Sequence, residues 1–338
     1  MDKVETQVLD GSYESIKKCA GLINDGEIVG IPTETVYGLA GDALNPEAIK
    51  KIFIAKGRPQ DNPLIVHIAK MSMLDELVIE IPVIALELAK HFWPGPLTMV
   101  FKKKDIIPYE TSGGLDTVGI RMPAHNLARE IISASGKPLA APSANLSGGP
   151  SPTTAQHVYE DLRGKIPAII DGGACNVGVE STVISFEQGG VRLLRPGFIS
   201  VDDLREYAPV FVDKGVIEKI DEGERVMSPG MKYKHYSPKA NITILDGTIE
   251  HFNDFIRKLD DKNALCVVFD SDKTDFSCDY LTYGDTSEEQ AKQLFDKLRE
   301  IDIIGAKQVY FRCPDKNGVG LAVYNRLLRA AGFEVIKL

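Results

Sequence analysis

Apolar and polar positions in the first two thirds of the chain switch repeatedly between a helical and a strand period. Apolar residues three or four apart, such as Ala48 with Ile52, predict amphipathic helices. The predicted helices are 11–24, 46–55, 84–92 and 126–134. Short apolar runs bounded by turn residues predict strands. These are 27–31, 64–68, 97–101, 117–122, 139–141 and 168–171, followed by a hairpin of 181–186 with 191–194. The mixture, with its many short loops, predicts an α/β domain with a twisted, mixed sheet.

From residue 240 onward the pattern becomes regular. Predicted strands at 242–245, 264–269, 308–312 and 333–336 alternate with predicted helices at 250–259, 286–301 and 320–331. Thr286 and Glu289 have the spacing of a capping box at the start of one helix. Such alternation predicts a smaller, Rossmann-like parallel αβ domain with right-handed crossovers.

Between these two patterns the periodicity lapses. At 338 residues the chain exceeds the usual size of one domain. We predict a catalytic domain at 1–213, a linker at 214–239 and a second domain at 240–338. The linker segment 228–238 (SPGMKYKHYSP) is bounded by prolines but crowded with Tyr, His and Lys. A passive tether does not need these side chains, although packing of its aromatic rings on a domain face is an alternative.

Composition and charge narrow the class of protein. The chain is 43% hydrophobic and 26% charged, which is typical of a soluble globular protein. No apolar run is long enough to span a bilayer, and the first residues lack a secretory signal. The five cysteines are odd in number and never in C-x-x-C spacing, which indicates a reducing compartment and disfavours structural zinc. We therefore expect a cytoplasmic protein with no membrane partner.

The net charge of −9 disfavours a protein that coats nucleic acid with its whole surface. A local basic patch is compatible with a negative net charge, so weak RNA binding stays an open alternative. The run of lysines at 102–104 is more typical of a solvated turn than of a binding site.

The segment 138–157 (PLAAPSANLSGGPSPTTAQH) is the first candidate for chemistry. We expect Pro142 to end the strand pairing, because it has no N–H donor. Small hydroxyl residues then follow on a glycine-rich loop, and Thr153 with Gln156 has capping-box spacing at a helix start. Free backbone N–H groups and hydroxyls of this kind suit a phosphate or a carboxylate. An ordinary polar connection would use the same residues, and composition alone does not decide.

The chain has no P-loop, no H-E-x-x-H and no G-x-S-x-G motif. Instead, single polar residues stand at the ends of predicted strands and at loop starts. They are Thr33, Thr35, Arg58, Asn62, His67, Thr117, Arg121, Ser143, Ser151, Ser181 and Arg195. Guanidinium groups bind phosphate and carboxylate through paired hydrogen bonds, so arginines together with hydroxyls suit a triphosphate bound beside a carboxylate. Carboxylates are few (Glu34, Asp61 and Glu180), so catalysis would depend on positioning and charge neutralisation, helped by Mg²⁺. Taken singly, His67 suits a core histidine, Arg121 a structural ion pair, and the threonines turn formers.

Eight ordered motifs resemble the YrdC-type family of threonylcarbamoyl-adenylate synthases, in its long two-domain form. They are 31–39 (IPTETVYGL), 56–67 (KGRPQDNPLIVH), 93–98 (WPGPLT), 118–123 (VGIRMP), 141–148 (APSANLSG), 178–183 (GVESTV), 194–197 (LRPG) and 228–238. The resemblance covers nearly the whole chain. It implies a YrdC-like first domain that converts L-threonine, bicarbonate and ATP into threonylcarbamoyl-adenylate and pyrophosphate.

The same resemblance implies roles for individual residues. Threonine would be held by Thr35, His67, Arg121, the backbone at Ala141, and Ser181. The nucleotide would be held by Arg58, Asn62, Thr117, Ser143, Ser151, Arg195 and Tyr236. Lys56, Arg58 and Arg121 would be catalytic, with Mg²⁺ brought by ATP and no metal ligands from the protein. His235 and Tyr236 of the linker would close over the site as a lid.

The product would pass to proteins that transfer the threonylcarbamoyl group to tRNA. Whether CO₂ or bicarbonate is the carbon donor, and how many subunits assemble, stays open. One rival is an RNA-binding module on the same concave face. Another is the carbamoyl-transfer domain of hydrogenase maturation proteins, which comes with zinc-finger cysteine pairs that this chain lacks.

Overall fold

A computed structural model describes residues 4–60, 62–216, 218, 236–275 and 278–338. Contacts divide the chain into two compact units. The first unit comprises Met1–Ser147 and Ser151–Lys232, and the second comprises Gly148–Pro150 and Tyr233–Leu338. Much of the predicted linker, including His235, lies outside the described residues, so the domain boundaries at 213 and 239 stay predictions.

The first unit is built on a large mixed sheet. Its strands are β1 (Gln7–Leu9), β2 (Val29–Ile31), β3 (Gly38–Asp42), β4 (Ile65–His67), β5 (Leu97–Lys102), β6 (Thr117–Arg121), β7 (Leu139–Ala140), β8 (Ala168–Ile170), β9 (Thr182–Glu187), β10 (Gly190–Arg195) and β11 (Val210–Val212). The spatial order is β1-β8-β2-β3-β7-β4-β6-β5-β9-β10-β11, with parallel and antiparallel neighbours. The predicted twisted, mixed α/β architecture is confirmed.

Helices accompany this sheet. They are α1 (Tyr13–Asn24), α2 (Pro46–Lys56), α3 (Met71–Leu77), α4 (Val83–Phe92), α5 (Tyr109–Ser112), α6 (Asn126–Ser135), α7 (Ala155–Leu162) and α8 (Val201–Arg205), with a 3₁₀ turn at Lys214–Val216. Helix α2 shows why such segments form. The Asn45 side chain accepts from the backbone of Glu47 and Ala48, Pro46 opens the first turn, and Gly57 ends the helix in the left-handed conformation.

Successive residues of the central strands are buried on opposite faces of the sheet, in two different apolar clusters. Val66, Val118 and Ile120 belong to the main core of the first unit. Their neighbours in sequence project from the opposite face, because side chains alternate along a strand. There Ile65, Val100, Val183 and Leu194 form a small buried apolar cluster. We call this opposite face of β4, β6, β5, β9 and β10 the second face of the sheet.

Two local predictions about the loop after β7 are wrong. Helix α7 is capped by Thr154, whose side chain accepts from the N–H of His157, and not by Thr153. Thr153 instead contacts the His157 ring, and Gln156 donates to Glu160, so the capping box does not form. Pro142 does not end the pairing either. Its carbonyl accepts from Leu39 N at 2.7 Å, since proline loses a donor but keeps its acceptor.

The second unit is a five-stranded sheet in which every pair is parallel. Its elements are β12 (Asn241–Asp246), α9 (Ile249–Leu259), β13 (Leu265–Val268), β14 (Asp279–Thr282), α10 (Ser287–Ile304), β15 (Gln308–Arg312), α11 (Gly320–Ala330) and β16 (Val335–Lys337), in the spatial order β14-β13-β15-β12-β16. The predicted parallel αβ layer and the capping box of Thr286 with Glu289 are confirmed. Strand β14 was not predicted. Across the described parts of both units, no helix is long and apolar enough to cross a membrane.

Candidate functional site

The strand register places polar residues in one row across the sheet. His67 pairs with Arg121, and in the next strand Met99 pairs with Ile120, so Thr98 of β5 lies beside Arg121. Val183 then pairs with both Thr98 and Arg195. The row therefore crosses β4, β6, β5, β9 and β10. It brings the last residues of β4, β6 and β10 to the same edge as the first residues of β5 and β9.

Arg121 is buried and held by three neighbours. Its Nη1 donates to Thr35 Oγ1 at 2.9 Å, its Nη2 to Glu34 Oε1 at 2.6 Å, and its Nε to the Gly95 carbonyl at 3.2 Å. Thr35 Oγ1 is also 2.8 Å from Thr33 Oγ1. The loop 31–39 is thus tied to the end of β6. The ion-pair alternative for Arg121 is realised in the contact with Glu34, which leaves its predicted contact with threonine to be tested.

Glu34 lies in a largely buried position next to this arginine. Its second oxygen accepts from Ala124 N at 3.0 Å. Burial alone would raise the pKa of the Glu34 carboxyl, but the charge and hydrogen bond of Arg121 outweigh it, so the pKa is lowered. Glu34 is consequently ionised at neutral pH, and the pair carries no net charge.

His67 stands directly beside Arg121 in the row and is buried. Burial, and next the positive charge of Arg121, lower the pKa of His67 to about 3. Its ring is therefore neutral, with one nitrogen free to accept. Nδ1 has no hydrogen-bond partner among the described residues. An unsatisfied buried ring nitrogen at a strand end is what a ligand hydroxyl or amine requires.

The far end of the row carries Ser181 and Arg195. Ser181 Oγ is 2.8 Å from Thr98 Oγ1, and Arg195 Nη2 donates to the Ser181 carbonyl at 3.0 Å and to its Oγ at 3.2 Å. The neighbouring Glu180 accepts from Ser151 Oγ at 2.5 Å. These contacts join the loop after β7 to the start of β9.

Lys56 holds the other part of that loop. Its Nζ donates to the carbonyls of Ser143 and Asn145, the latter at 2.7 Å, and to Asn145 Oδ1 at 3.3 Å. Ser143 Oγ donates to Asn145 Oδ1 at 2.6 Å. Burial, and next the charge of Arg58, lower the pKa of Lys56 well below its usual range, while Asp161 and then Glu180 act in the opposite direction.

The remaining predicted residues occupy several places. Thr117 projects from the second face at the start of β6, at the opposite end of the strand from Arg121. Ala141 N donates to Ile65 O at 3.0 Å, and Asn62 is buried ahead of β4. Tyr236 belongs to the second unit, where its ring packs 5.2 Å from that of Phe295. The ligand roles of all these residues stay predictions.

Two contributors were not among the predicted site residues. Thr98 follows the turn 93–96 as the second residue of β5, and its place at a strand start was a signal that could have identified it. The Asn145 side chain and the Ser143 carbonyl both accept hydrogen bonds from Lys56 Nζ. Its position in the hydroxyl-rich loop was the feature of the sequence that could have identified it.

The Sua5/YciO/YrdC family model, described as telomere recombination, matches residues 21–197. A model of the threonylcarbamoyl-AMP synthase C-terminal domain matches residues 199–332. Threonylcarbamoyl-AMP synthases of Pyrococcus abyssi and Bacillus subtilis are 45% and 44% identical. The first alignment covers 96% of both chains, and the second covers 98% of this chain and 97% of the relative.

A solved structure of P. abyssi Sua5 complexed with L-threonine superposes with a TM-score of 0.92 at 42% identity. It covers 98% of this chain and 99% of its own. The two family models together match nearly the full length of this chain, and each of the two relatives aligns with nearly all of it. The chain therefore belongs to the Sua5/YciO/YrdC family, in the two-domain form of the threonylcarbamoyl-AMP synthases.

Proposed function

We propose that the chain is an L-threonylcarbamoyladenylate synthase, which joins L-threonine, bicarbonate and ATP into threonylcarbamoyl-AMP with release of pyrophosphate. The observation that carries this assignment is the row of His67, Arg121 and Thr98, with Ser181 hydrogen-bonded to Thr98, beside the loop held by Lys56. A carboxylate-binding arginine and a neutral histidine lie at one end. Arg195 lies at the other end and is suited to phosphate, as are the hydroxyls of Ser143 and Ser151 on the loop after β7. Relatives of the same two-domain form carry this name, and one binds L-threonine.

Threonine would occupy the end formed by Thr35, His67 and Arg121, with the backbone at Ala141 and the hydroxyl of Ser181 completing the set. Arg121 has N–H donors for its carboxylate, and neutral His67 has an acceptor for its hydroxyl or amine. Because His67 stays uncharged, it does not repel a protonated amine on arrival. Arg121 is then the one cation contributed by this pair of residues.

The nucleotide would lie along Arg58, Asn62, Thr117, Ser143, Ser151 and Arg195, with Tyr236 as a further ligand. Arg58 and Arg195 would neutralise phosphate charge. Lys56 would act through the loop: its Nζ donates to the Ser143 and Asn145 carbonyls, which orients the loop toward the phosphates.

The reaction would proceed in two steps. The bound threonine ammonium first loses a proton to solvent. The neutral amine then attacks CO₂, with loss of a second proton to solvent, or bicarbonate, with loss of a water, to give N-carboxythreonine. The new carboxylate oxygen then attacks the α-phosphorus in line, and the bond to the β-phosphate oxygen breaks with pyrophosphate leaving. Holding both substrates in one row would supply proximity, and the arginines would stabilise the developing charge. A covalent enzyme intermediate is not needed.

Mg²⁺ would arrive with the triphosphate. In the described part of the chain, no group of three or more His, Cys, Asp or Glu residues is arranged to hold a metal ion. We expect the ion to be bound mainly by phosphate oxygens and water, which is how Mg²⁺ usually binds in ATP-dependent enzymes. When bound, it would neutralise charge on the pyrophosphate leaving group.

The linker would close over the site as a lid and protect the mixed anhydride from water. We further infer a cytoplasmic protein whose product is consumed by enzymes that modify tRNA. Direct detection tests the assignment: a mixture of enzyme, ATP, bicarbonate and L-threonine should contain threonylcarbamoyl-AMP by mass spectrometry. Formation of AMP and pyrophosphate without that product would contradict it.

A further inference from the structure

Glu34 is the one carboxylate that contacts Arg121 in the described structure, and nothing in the proposed reaction yet uses it. We propose that Glu34 is a positioning and specificity-determining residue: it fixes the Arg121 guanidinium and cancels its charge, so that this subsite accepts a zwitterionic amino acid and rejects phosphate groups. The inference rests on the proposed function, in which Arg121 receives the threonine carboxylate.

The first support is the number of donors on Arg121. A guanidinium has five N–H groups. Described neighbours take three of them: Gly95 O accepts from Nε, Thr35 Oγ1 from Nη1 and Glu34 Oε1 from Nη2. One N–H remains on each terminal nitrogen. Two such donors on one planar group suit the two oxygens of a carboxylate.

The second support is how firmly the pair is held. Glu34 Oε1 accepts from Arg121 while Oε2 accepts from Ala124 N, so both oxygens of the carboxylate are anchored. The Arg121 and Glu34 side chains are only 5% and 11% exposed, respectively, which limits screening of the interaction by water. Truncating Glu34 would leave one buried Arg121 N–H without its acceptor, whereas the exposed Ala124 N–H could bond to water. The guanidinium could then rotate.

The third support is the distribution of charge. Glu34 and Arg121 sum to zero, and the adjacent His67 is neutral because burial and Arg121 depress its pKa. A phosphate with two negative charges gains little from such a pair, and an ionised Glu34 repels it. A zwitterion fits better, because its carboxylate faces Arg121 and its ammonium faces Glu34. Arg58 and Arg195 remain for the triphosphate.

The test compares Glu34→Ala, Glu34→Gln and wild-type enzyme in steady-state kinetics. Glu34→Ala should raise the KM for threonine about tenfold or more and leave the KM for ATP within about threefold. Glu34→Gln keeps an oxygen acceptor and should recover part of that loss. Because Glu34→Gln also gives Arg121 a net positive charge, inorganic phosphate should compete with threonine about tenfold more strongly than in wild type. Glu27→Gln, which breaks the half-exposed ion pair with Lys51, is the matched control.

A structural role alone would not create phosphate competition against threonine. Unchanged phosphate inhibition in Glu34→Gln, or equal rises in both KM values in Glu34→Ala, would overturn the inference. If Glu34→Ala does not fold, the competition of phosphate with threonine in Glu34→Gln tests the inference by itself. The wild-type arm tests the proposed function separately: wild type without threonine-dependent turnover contradicts the assignment, whereas active wild type with unaltered variants contradicts only the role of Glu34.

Discussion

His67 and Arg121 lie opposite each other on the adjacent parallel strands β4 and β6, each as the last residue of its strand. Both side chains leave the sheet on the second face, away from the main core. This relationship gives one edge of the sheet a neutral acceptor and a charged donor side by side. It is the geometric basis for placing the amino-acid substrate there.

Arg121→Ala should abolish threonine-dependent pyrophosphate release, because the carboxylate would lose its paired donors. Arg121→Lys should restore little, since a point charge cannot replace the fork. ATP binding, measured by calorimetry, should change little in both variants. Arg205→Ala, which removes an exposed arginine paired with Asp202, is the control. Normal turnover by Arg121→Ala would eliminate the carboxylate role.

Stability should fall at acid pH through His67. Burial and the charge of Arg121 lower its folded-state pKa to about 3, against an ordinary 6.5. Between these values the unfolded chain binds a proton that the folded chain refuses, so the free energy of unfolding decreases as the pH falls below 6.5. The slope from this one group is at most about 1.4 kcal/mol per pH unit.

Urea unfolding at a series of pH values measures that slope. His67→Gln should flatten the dependence between pH 6.5 and 4, whereas His251→Gln, an exposed histidine of the second unit, should not. Parallel curves for wild type and His67→Gln would show that His67 is not buried in a neutral state.

Lys56→Met should raise the KM for ATP and lower stability. The substitution removes the Nζ donor from the Ser143 and Asn145 carbonyls, at a cost of about 0.5–1.5 kcal/mol for each hydrogen bond lost. The loop would also lose its orientation toward the phosphates. Lys50→Met, on the same helix but in an exposed pair with Glu47, is the control. An unaltered KM for ATP in a folded Lys56→Met variant would refute the loop-positioning role.

Apolar periodicity located most of the strands that bear the site, because β4, β5 and β6 are compact apolar runs that end in polar residues. It missed β3, whose sequence Gly38–Asp42 contains two glycines and little β-branched character. It also could not pair Arg121 with Glu34, which is 87 residues away, or Thr98 with Ser181, 83 residues away. Those contacts depend on the spatial order of the strands, which a local pattern does not encode.

The chain cut after Val216 should retain a folded first unit, because the sheet β1 to β11 is complete by that point. Its turnover should be much weaker than that of the full chain, since the linker and its proposed lid are removed. Circular dichroism checks folding, and pyrophosphate release checks turnover. Equal activity of the two forms would rule out the lid.

The most direct test of the enzyme assignment is pyrophosphate release from ATP and bicarbonate with each of the common amino acids in turn. We expect release to depend on L-threonine, to fall strongly with serine, which lacks the methyl group, and to be absent without bicarbonate. Release that is indifferent to the amino acid, or that proceeds with ATP alone, would contradict a site that seats threonine beside the nucleotide.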